Sequence, residues 1–86
     1  MKIKEGFLLR KVAEEYVVIP LGCELDLNKM IHLNETGAFL WKQLEQECEL
    51  DSLVTALLNE YDVEEIVAKK HVDLFIESLK KNGFLE

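Results

Sequence analysis

The side chains that could act as nucleophiles are few in this sequence and stand far apart. Ser52 and Ser78 both fall at helical positions, and neither has a sequence context that implies a base within hydrogen-bond reach. Cys23 and Cys48 are not part of a CxxC motif, and in a reducing compartment we expect both to be free thiols. These residues therefore do not predict a catalytic centre.

Residues that could bind a metal or transfer protons are equally scattered. His32 and His71 could each join a cysteine, but their spacing does not indicate a metal site, and the sequence has no HExxH motif. The carboxylates Glu64, Glu65 and Glu77 are interpreted as solvated helix faces. A chain of 86 residues needs nearly all its apolar residues for its own core, which leaves little room for a substrate cavity. We predict a binding domain that is not an enzyme and holds no cofactor or metal.

Composition narrows the class of protein and its compartment. With 86 residues, 49% of them hydrophobic, the chain is predicted to form one domain over residues 1–86. Its 10 basic and 17 acidic residues give a net charge of −7, which argues against nucleic acid as a partner. Apolar runs such as residues 16–19 and 38–41 are too short to cross a bilayer, and no secretion signal opens the chain. We expect a cytoplasmic protein without a membrane partner.

The first third of the chain has the pattern of three strands. Residues 6–12 alternate imperfectly between apolar and polar, and residues 16–19 are rich in β-branched and aromatic residues, so each segment predicts a strand. The short segment 13–15 between them predicts a hairpin loop, although Gly and Asn are missing from it. Pro20 and Gly22 predict a turn. Apolar and polar residues then alternate over residues 25–33, which predicts a third strand with its centre at residues 29–33.

The remainder has the pattern of three helices. Asn34 is a suitable N-cap for a helix over residues 35–46, and Asp51 for a second over residues 51–61. A third helix is predicted over residues 64–82, ending at Gly83 in the left-handed conformation, after which residues 84–85 fold back onto the core. The fold class is therefore α+β, a three-stranded antiparallel sheet followed by three helices that cover one of its faces.

Two features of this arrangement point to a binding site. A three-stranded meander exposes the outer edges of its first and third strands, and the third is guarded only by Lys29, Asn28 and His32. That edge is either protected by a partner or used by one.

The third helix is the second feature, because it carries two apolar lines. One line comprises Val72, Phe75, Ile76 and Leu79, and the other Val63, Ile66, Val67, His71 and Leu74. Either both lines are buried in the core, or the second borders a groove beside the third strand through Val67, His71 and Leu74. In the second case Lys70 at the rim would favour acidic or carbonyl-rich ligands.

The order of these segments resembles the PqqD-like proteins, also described as RiPP recognition elements, over nearly the whole chain. The resemblance is carried by GFLLR at residues 6–10, YVVIP at 16–20, LNETG at 33–37, LWKQL at 40–44, LV at 53–54, YDV at 61–63, Val72, FI at 75–76, Leu79 and GFL at 83–85. One departure is visible: the family often has a Gly-containing turn after the first helix, where this chain has Gln46, Glu47, Cys48 and Glu49.

The resemblance implies a winged-helix-like fold without catalytic residues. Such domains hold the leader segment of a ribosomally made precursor peptide as a strand added to the third strand, and present it to a modifying enzyme, often a radical SAM protein. Carried over by position, the peptide-binding residues would be Lys29, Met30, Ile31, His32 and Leu33 on the strand, with Val67, Lys70, His71 and Leu74 on the third helix. Many members serve peptides other than the precursor of pyrroloquinoline quinone, so that pathway is not assigned.

Two other functions remain open from the sequence. A winged-helix nucleic-acid or regulatory module has a similar topology, and a plain oligomerisation or interaction domain would have the same composition. An open strand edge can also pair with a second copy, so a homodimer remains open as well.

Overall fold

A computed structural model of the chain describes residues 1–20 and 31–86. Six elements follow one another: β1 (Phe7–Val12), β2 (Glu15–Pro20), β3 (Ile31–Leu33), α1 (Glu35–Leu44), α2 (Leu50–Glu60) and α3 (Glu65–Lys81). The strands form one antiparallel sheet in the order β1-β2-β3. The predicted fold class, an α+β chain with a three-stranded sheet before three helices, is confirmed.

The hairpin between β1 and β2 is tighter than the sequence suggested. Val12 pairs with Glu15, so only Ala13 and Glu14 form the turn, with φ angles of 50° and 72°. Positive φ at both central residues is the requirement of a type I′ turn, whose twist matches that of the flanking strands. The strand twist therefore imposes a conformation for which neither residue type is suited.

The ends of α1 agree in part with the prediction. The Asn34 side chain accepts a hydrogen bond from the Gly37 backbone N–H at 2.7 Å, which confirms Asn34 as the N-cap. The helix ends at Leu44, two residues before the predicted end at residue 46.

The start of α2 corrects the prediction. Glu49 is the N-cap and makes no side-chain capping bond, whereas Asp51 lies inside the first turn. The predicted role of Asp51 as the N-cap is therefore wrong, although in the first turn its carboxylate still faces the positive end of the helix dipole.

The end of α3 confirms the prediction closely. Asn82 is the C-cap and Gly83 follows with φ of 77°, a conformation that glycine adopts without steric cost. The Phe84 N–H then donates to the Leu79 carbonyl at 2.9 Å. This turn sends Phe84 back into the core, where it is buried.

The core lies between the sheet and the helices and is centred on Trp41, which is 1% exposed. Its ring meets those of Phe7 and Phe84 edge to face, with centroid distances of 6.4 and 5.6 Å. Such contacts add to the free energy gained from burial alone. Val18 from β2 and Val72 from α3, both fully buried, join sheet and helix to the same cluster.

The first residues of the chain close the structure against its last ones. Ile3 is buried and forms an antiparallel bridge with Leu85, while the Lys4 N–H donates to the Phe84 carbonyl at 2.8 Å. The Ile3 N–H also donates to the Leu44 carbonyl at 2.9 Å. These pairings were not anticipated from the sequence.

The link between α1 and α2 is held by the same first residues. The Cys48 N–H donates to the Met1 carbonyl at 3.0 Å, and the Met1 amine lies 2.6 Å from a Glu47 carboxylate oxygen. Cys48 is a half-buried free thiol, and desolvation raises its pKa above the ordinary value of 9.0. The other cysteine, Cys23, lies outside the described residues.

Candidate functional site

One edge of β3 is the first component of the candidate site. On its inner side β3 pairs with β2 through Ile31↔Val18, His32↔Val17 and Leu33↔Tyr16. Within residues 1–20 and 31–86, no strand pairs with its other side. The outward backbone groups of β3 are therefore positioned to accept an added strand.

The side chains of β3 alternate as a strand with one covered face requires. Ile31 and Leu33 are half-buried against the core, and His32 is exposed. The His32 Nδ1 lies 3.6 Å from a Glu15 carboxylate oxygen, on the face away from the helices. Lys29 and Met30, also predicted to contact a peptide, lie outside the described residues.

The two apolar lines of α3 have different environments. Val72, Ile76 and Leu79 are buried, and Phe75 is half-buried. In the second line Ile66 is 80% exposed, Leu74 59%, Val67 40% and Val63 38%. The alternative in which both lines are buried is therefore wrong, since the second line faces solvent.

Two cavities lie between this exposed side of α3 and the start of α1. The larger has a volume of about 230 Å³ and is lined by Asn34, Thr36, Gly37, Leu40, His71, Leu74 and Phe75. The smaller has a volume of about 70 Å³ and is lined by Thr36, Leu57, Tyr61, Val63, Val67, Ala68 and His71. Because Thr36 and His71 line both, the cavities form one groove, which we call the α1–α3 groove.

Gly37 fixes how closely α1 and α3 approach where β3 ends. A Cβ atom at this position would lie 3.1 Å from the Asn34 side-chain oxygen, 3.4 Å from a Phe75 ring carbon and 3.5 Å from the Leu33 Cβ. The larger cavity thus begins where β3 ends. Asn34, the residue after β3, lines this cavity, so the α1–α3 groove lies next to the end of the strand with the open edge.

Tyr61 lies at the other end of the groove, in an electronegative setting. Burial raises the pKa of its phenol, and the negative charges of Glu35 and Glu60 raise it further. Its ring also packs edge to face on Phe39, with centroids 5.7 Å apart. The smaller cavity, which Tyr61 lines, is therefore mostly apolar and lies within reach of the negative charges of Glu35 and Glu60.

The predicted site residues within the described ranges lie in three places: in the groove, on β3, and on the surface outside both cavities. Val67, His71 and Leu74 line the groove, and Ile31, His32 and Leu33 form the strand beside it. Lys70 is exposed and lines neither cavity.

Several lining residues were missed, because they come from elements that only the tertiary fold brings together. They are Asn34, Thr36, Gly37, Leu40, Leu57, Tyr61, Val63, Ala68 and Phe75. Gly37 carried the one usable signal, since a glycine inside a helix is unfavourable unless a close contact requires it.

The described part of the chain has neither a metal-binding cluster nor a membrane-spanning helix. In residues 1–20 and 31–86, no three His, Cys, Asp or Glu side chains are grouped so that they could hold a metal ion. None of the helices in this part of the chain is both long and apolar enough to span a membrane.

Two solved structures share this fold over nearly their whole length. One is TbiB1 in complex with the TbiA(beta) leader peptide, with a TM-score of 0.78 and 23% identity, covering 100% of this chain and 95% of that one. The other is lasso peptide synthetase B1 complexed with the leader peptide, with a TM-score of 0.74 and 22% identity, covering 96% and 93%. Among curated proteins, none matches this chain at a significant level.

The family comparison covers every element from β2 to the end of the chain. The family model described as Coenzyme PQQ synthesis protein D (PqqD) matches residues 15–85. This span includes β3, all three helices and both cavities, and it confirms the resemblance found in the sequence. The chain belongs to the PqqD family.

Proposed function

We propose that this protein binds the leader segment of a ribosomally synthesised precursor peptide and presents it to a modifying enzyme. The observation that carries the proposal is that the α1–α3 groove lies next to the end of β3, the strand whose outer edge is open among the described residues. Membership of the PqqD family supports it, as does the leader peptide held by both similar proteins.

The physical basis of binding is strand addition. An extended leader lying along β3 gains backbone hydrogen bonds that do not depend on its sequence. The pockets of the groove then select among leader sequences by the shape of their side chains. In this arrangement Ile31, His32 and Leu33 supply the backbone ladder, which Met30 and Lys29 would extend. Val67, His71 and Leu74 form the α3 side of the α1–α3 groove. Lys70 lies outside the groove, where its positive charge can attract acidic groups of the leader.

The protein itself contributes binding and orientation rather than catalysis. Apolar residues make up most of the groove lining, and its polar members are Asn34, Thr36, Tyr61 and His71. We assign the chemical modification of the precursor to a separate enzyme, for which a radical SAM protein is one candidate. We place binding of the leader in the cytoplasm, where precursor peptides leave the ribosome.

A nucleic-acid module and a homodimer are the competing functions. The basic residues of α3 and its caps, Lys69, Lys70, Lys80 and Lys81, are balanced by Glu64, Glu65, Asp73 and Glu77. A helix that reads DNA needs an excess of positive charge, so this balance favours a peptide. A second copy could use the same β3 edge, and leader binding would then compete with dimer formation.

Amide hydrogen exchange measured with and without the leader of a neighbouring precursor gene tests the proposal. Along a strand, successive N–H groups point to opposite sides. We therefore expect new protection at alternate residues of 31–33, namely those whose N–H groups face away from β2. The outer edge of β1 is the internal control and should show no new protection. Protection at β1, or none at β3, would contradict the proposal.

A proline in place of Ile31 tests the same backbone ladder by mutation. Proline lacks the N–H group and restricts φ, so Ile31→Pro should abolish leader binding. The control is Leu8→Pro on β1, at the opposite edge of the sheet, which should bind the leader as tightly as the unmodified protein. Circular dichroism checks that both variants are folded. Equal affinities of a folded Ile31→Pro variant and the Leu8→Pro control would count against the ladder.

A further inference from the structure

The two cavities of the α1–α3 groove differ about threefold in volume, and this difference has a chemical meaning. A dry cavity of about 150 Å³ accommodates a benzene molecule. The larger cavity, at about 230 Å³, therefore has room for an aromatic side chain. The smaller, at about 70 Å³, is too small for a ring and suits a short branched aliphatic group.

The lining of each cavity agrees with its size. Leu40, Leu74 and the ring of Phe75 border the larger one, so an aromatic guest would meet aliphatic carbon and another aromatic ring. Leu57 and Ala68 line the smaller one and are buried, so a guest there would contact core atoms on its inner side.

The distance between the cavities matches the repeat of an extended peptide. On α3 the larger cavity is bordered by His71, Leu74 and Phe75, and the smaller by Val67, Ala68 and His71. The mean sequence positions of these two sets differ by between four and five residues. At a rise of about 1.5 Å per residue, this offset is about 7 Å along the helix. A strand advances about 6.6 Å in two residues, and residues two apart point to the same face.

We infer that the ligand of this groove carries an aromatic residue and a small branched aliphatic residue two positions apart, the aromatic in the larger cavity and the aliphatic in the smaller. This inference rests on the proposed function, because it takes the occupant to be an extended peptide added to β3. The residue between the two points away from the groove and is free to vary.

Short synthetic threonine-rich peptides test the spacing directly. One pair carries Phe and Val two positions apart in either order, since the added strand could run in either direction, and a second pair carries them three positions apart. By amide NMR titration, we expect one of the two-apart peptides to bind roughly tenfold more tightly than both three-apart peptides, the difference that one buried aliphatic side chain makes. Equal affinity at the two spacings would overturn the inference.

Val67→Ala tests the size of the smaller cavity, with Ile66→Ala as its matched control. Ile66 is the neighbouring aliphatic residue on α3, is 80% exposed and lines neither cavity. Enlarging the smaller cavity should raise the affinity for a peptide with Leu in place of Val relative to the Val peptide. The same ratio should be unchanged in Ile66→Ala. An unchanged ratio in both variants would contradict the assignment of the aliphatic residue to this cavity.

Hydrogen exchange separates failure of this inference from failure of the proposed function. If every peptide protects the outward amides of residues 31–33 equally, strand addition stands and the side-chain assignment is wrong. If no peptide protects them, strand addition and the assignment both fail.

Discussion

At the scale of single residues, Tyr61 reports the electrostatics of the groove. Burial and the charges of Glu35 and Glu60 hold the pKa of its phenol above the ordinary value of 10.0. In a Tyr16→Phe background Tyr61 is the only tyrosine, so its ionisation can be followed by near-ultraviolet absorbance. We expect Glu35→Gln to lower this pKa toward the ordinary value, because it removes one of the negative charges.

Asp51→Asn is the control for that titration, since Asp51 and Glu35 both occupy the first turn of a helix. It should leave the Tyr61 pKa unchanged, and an equal effect of both substitutions would contradict the local origin of the shift. Because the folded-state pKa is raised, the contribution of Tyr61 to stability is complete below about pH 10 and is lost as the pH rises through the folded-state value.

Residue-level signals in the sequence were informative where one side chain decides the local structure. The Asn34 cap depends on a single side-chain oxygen, and the left-handed Gly83 on the lack of a Cβ atom, so both could be recognised without a fold. Asp51 was misplaced by two positions, because an acidic residue is favourable both as a cap and within the first turn. Ile3 gave no signal, because its burial depends on a bridge to Leu85 at the far end of the chain.

At the scale of elements, the β1–β2 hairpin contains a correctable strain. Glu14 has φ of 72°, a conformation that costs a residue with a Cβ about 1–2 kcal/mol. Glu14→Gly should raise the free energy of unfolding by about 0.5–1 kcal/mol in urea denaturation, after allowance for the larger entropy of an unfolded glycine. Glu14→Ala removes the same charge but keeps the Cβ. If it stabilised the protein as much as glycine does, charge rather than strain would be the cause.

The elements bordering the groove show where prediction from sequence ends. The periodicity of α3 separated two apolar lines without deciding whether the second was exposed, and strand alternation predicted the third strand of the sheet. The cavities required Thr36 from α1 and Tyr61 from the end of α2 to meet Val67 from α3. No local pattern encodes that meeting, since it depends on how the three helices pack.

At the scale of the whole molecule, Phe84 joins the end of the chain to the central aromatic cluster. Its ring centroid lies 4.7 Å from that of Phe7 and 5.6 Å from that of Trp41, and it is 5% exposed. Phe84→Ala should lower the free energy of unfolding by about 3–5 kcal/mol and shift the emission of Trp41 to longer wavelength as water enters. This loss is a large part of the about 5–15 kcal/mol that stabilises a typical domain.

Leu85→Ala is the control for this prediction, because Leu85 is half-buried and its bridge to Ile3 is made by backbone atoms. Leu85→Ala should lower the free energy of unfolding clearly less than Phe84→Ala does, and it should leave the emission wavelength of Trp41 unchanged. An equal loss in the two variants would show that the end of the chain acts through its backbone pairing rather than through the Phe84 ring.

The division of α3 into a buried and an exposed apolar line has a consequence for the history of such a protein. Substitutions at Ile66, Val67 or Leu74 do not disturb the core, which depends on Val72, Ile76 and Leu79. Under the proposed function, one helix could therefore keep its core-facing side unchanged while the residues of its other side change with the sequence of the leader peptide. A duplicated copy could acquire a new client through a few exchanges on that side and remain stable throughout.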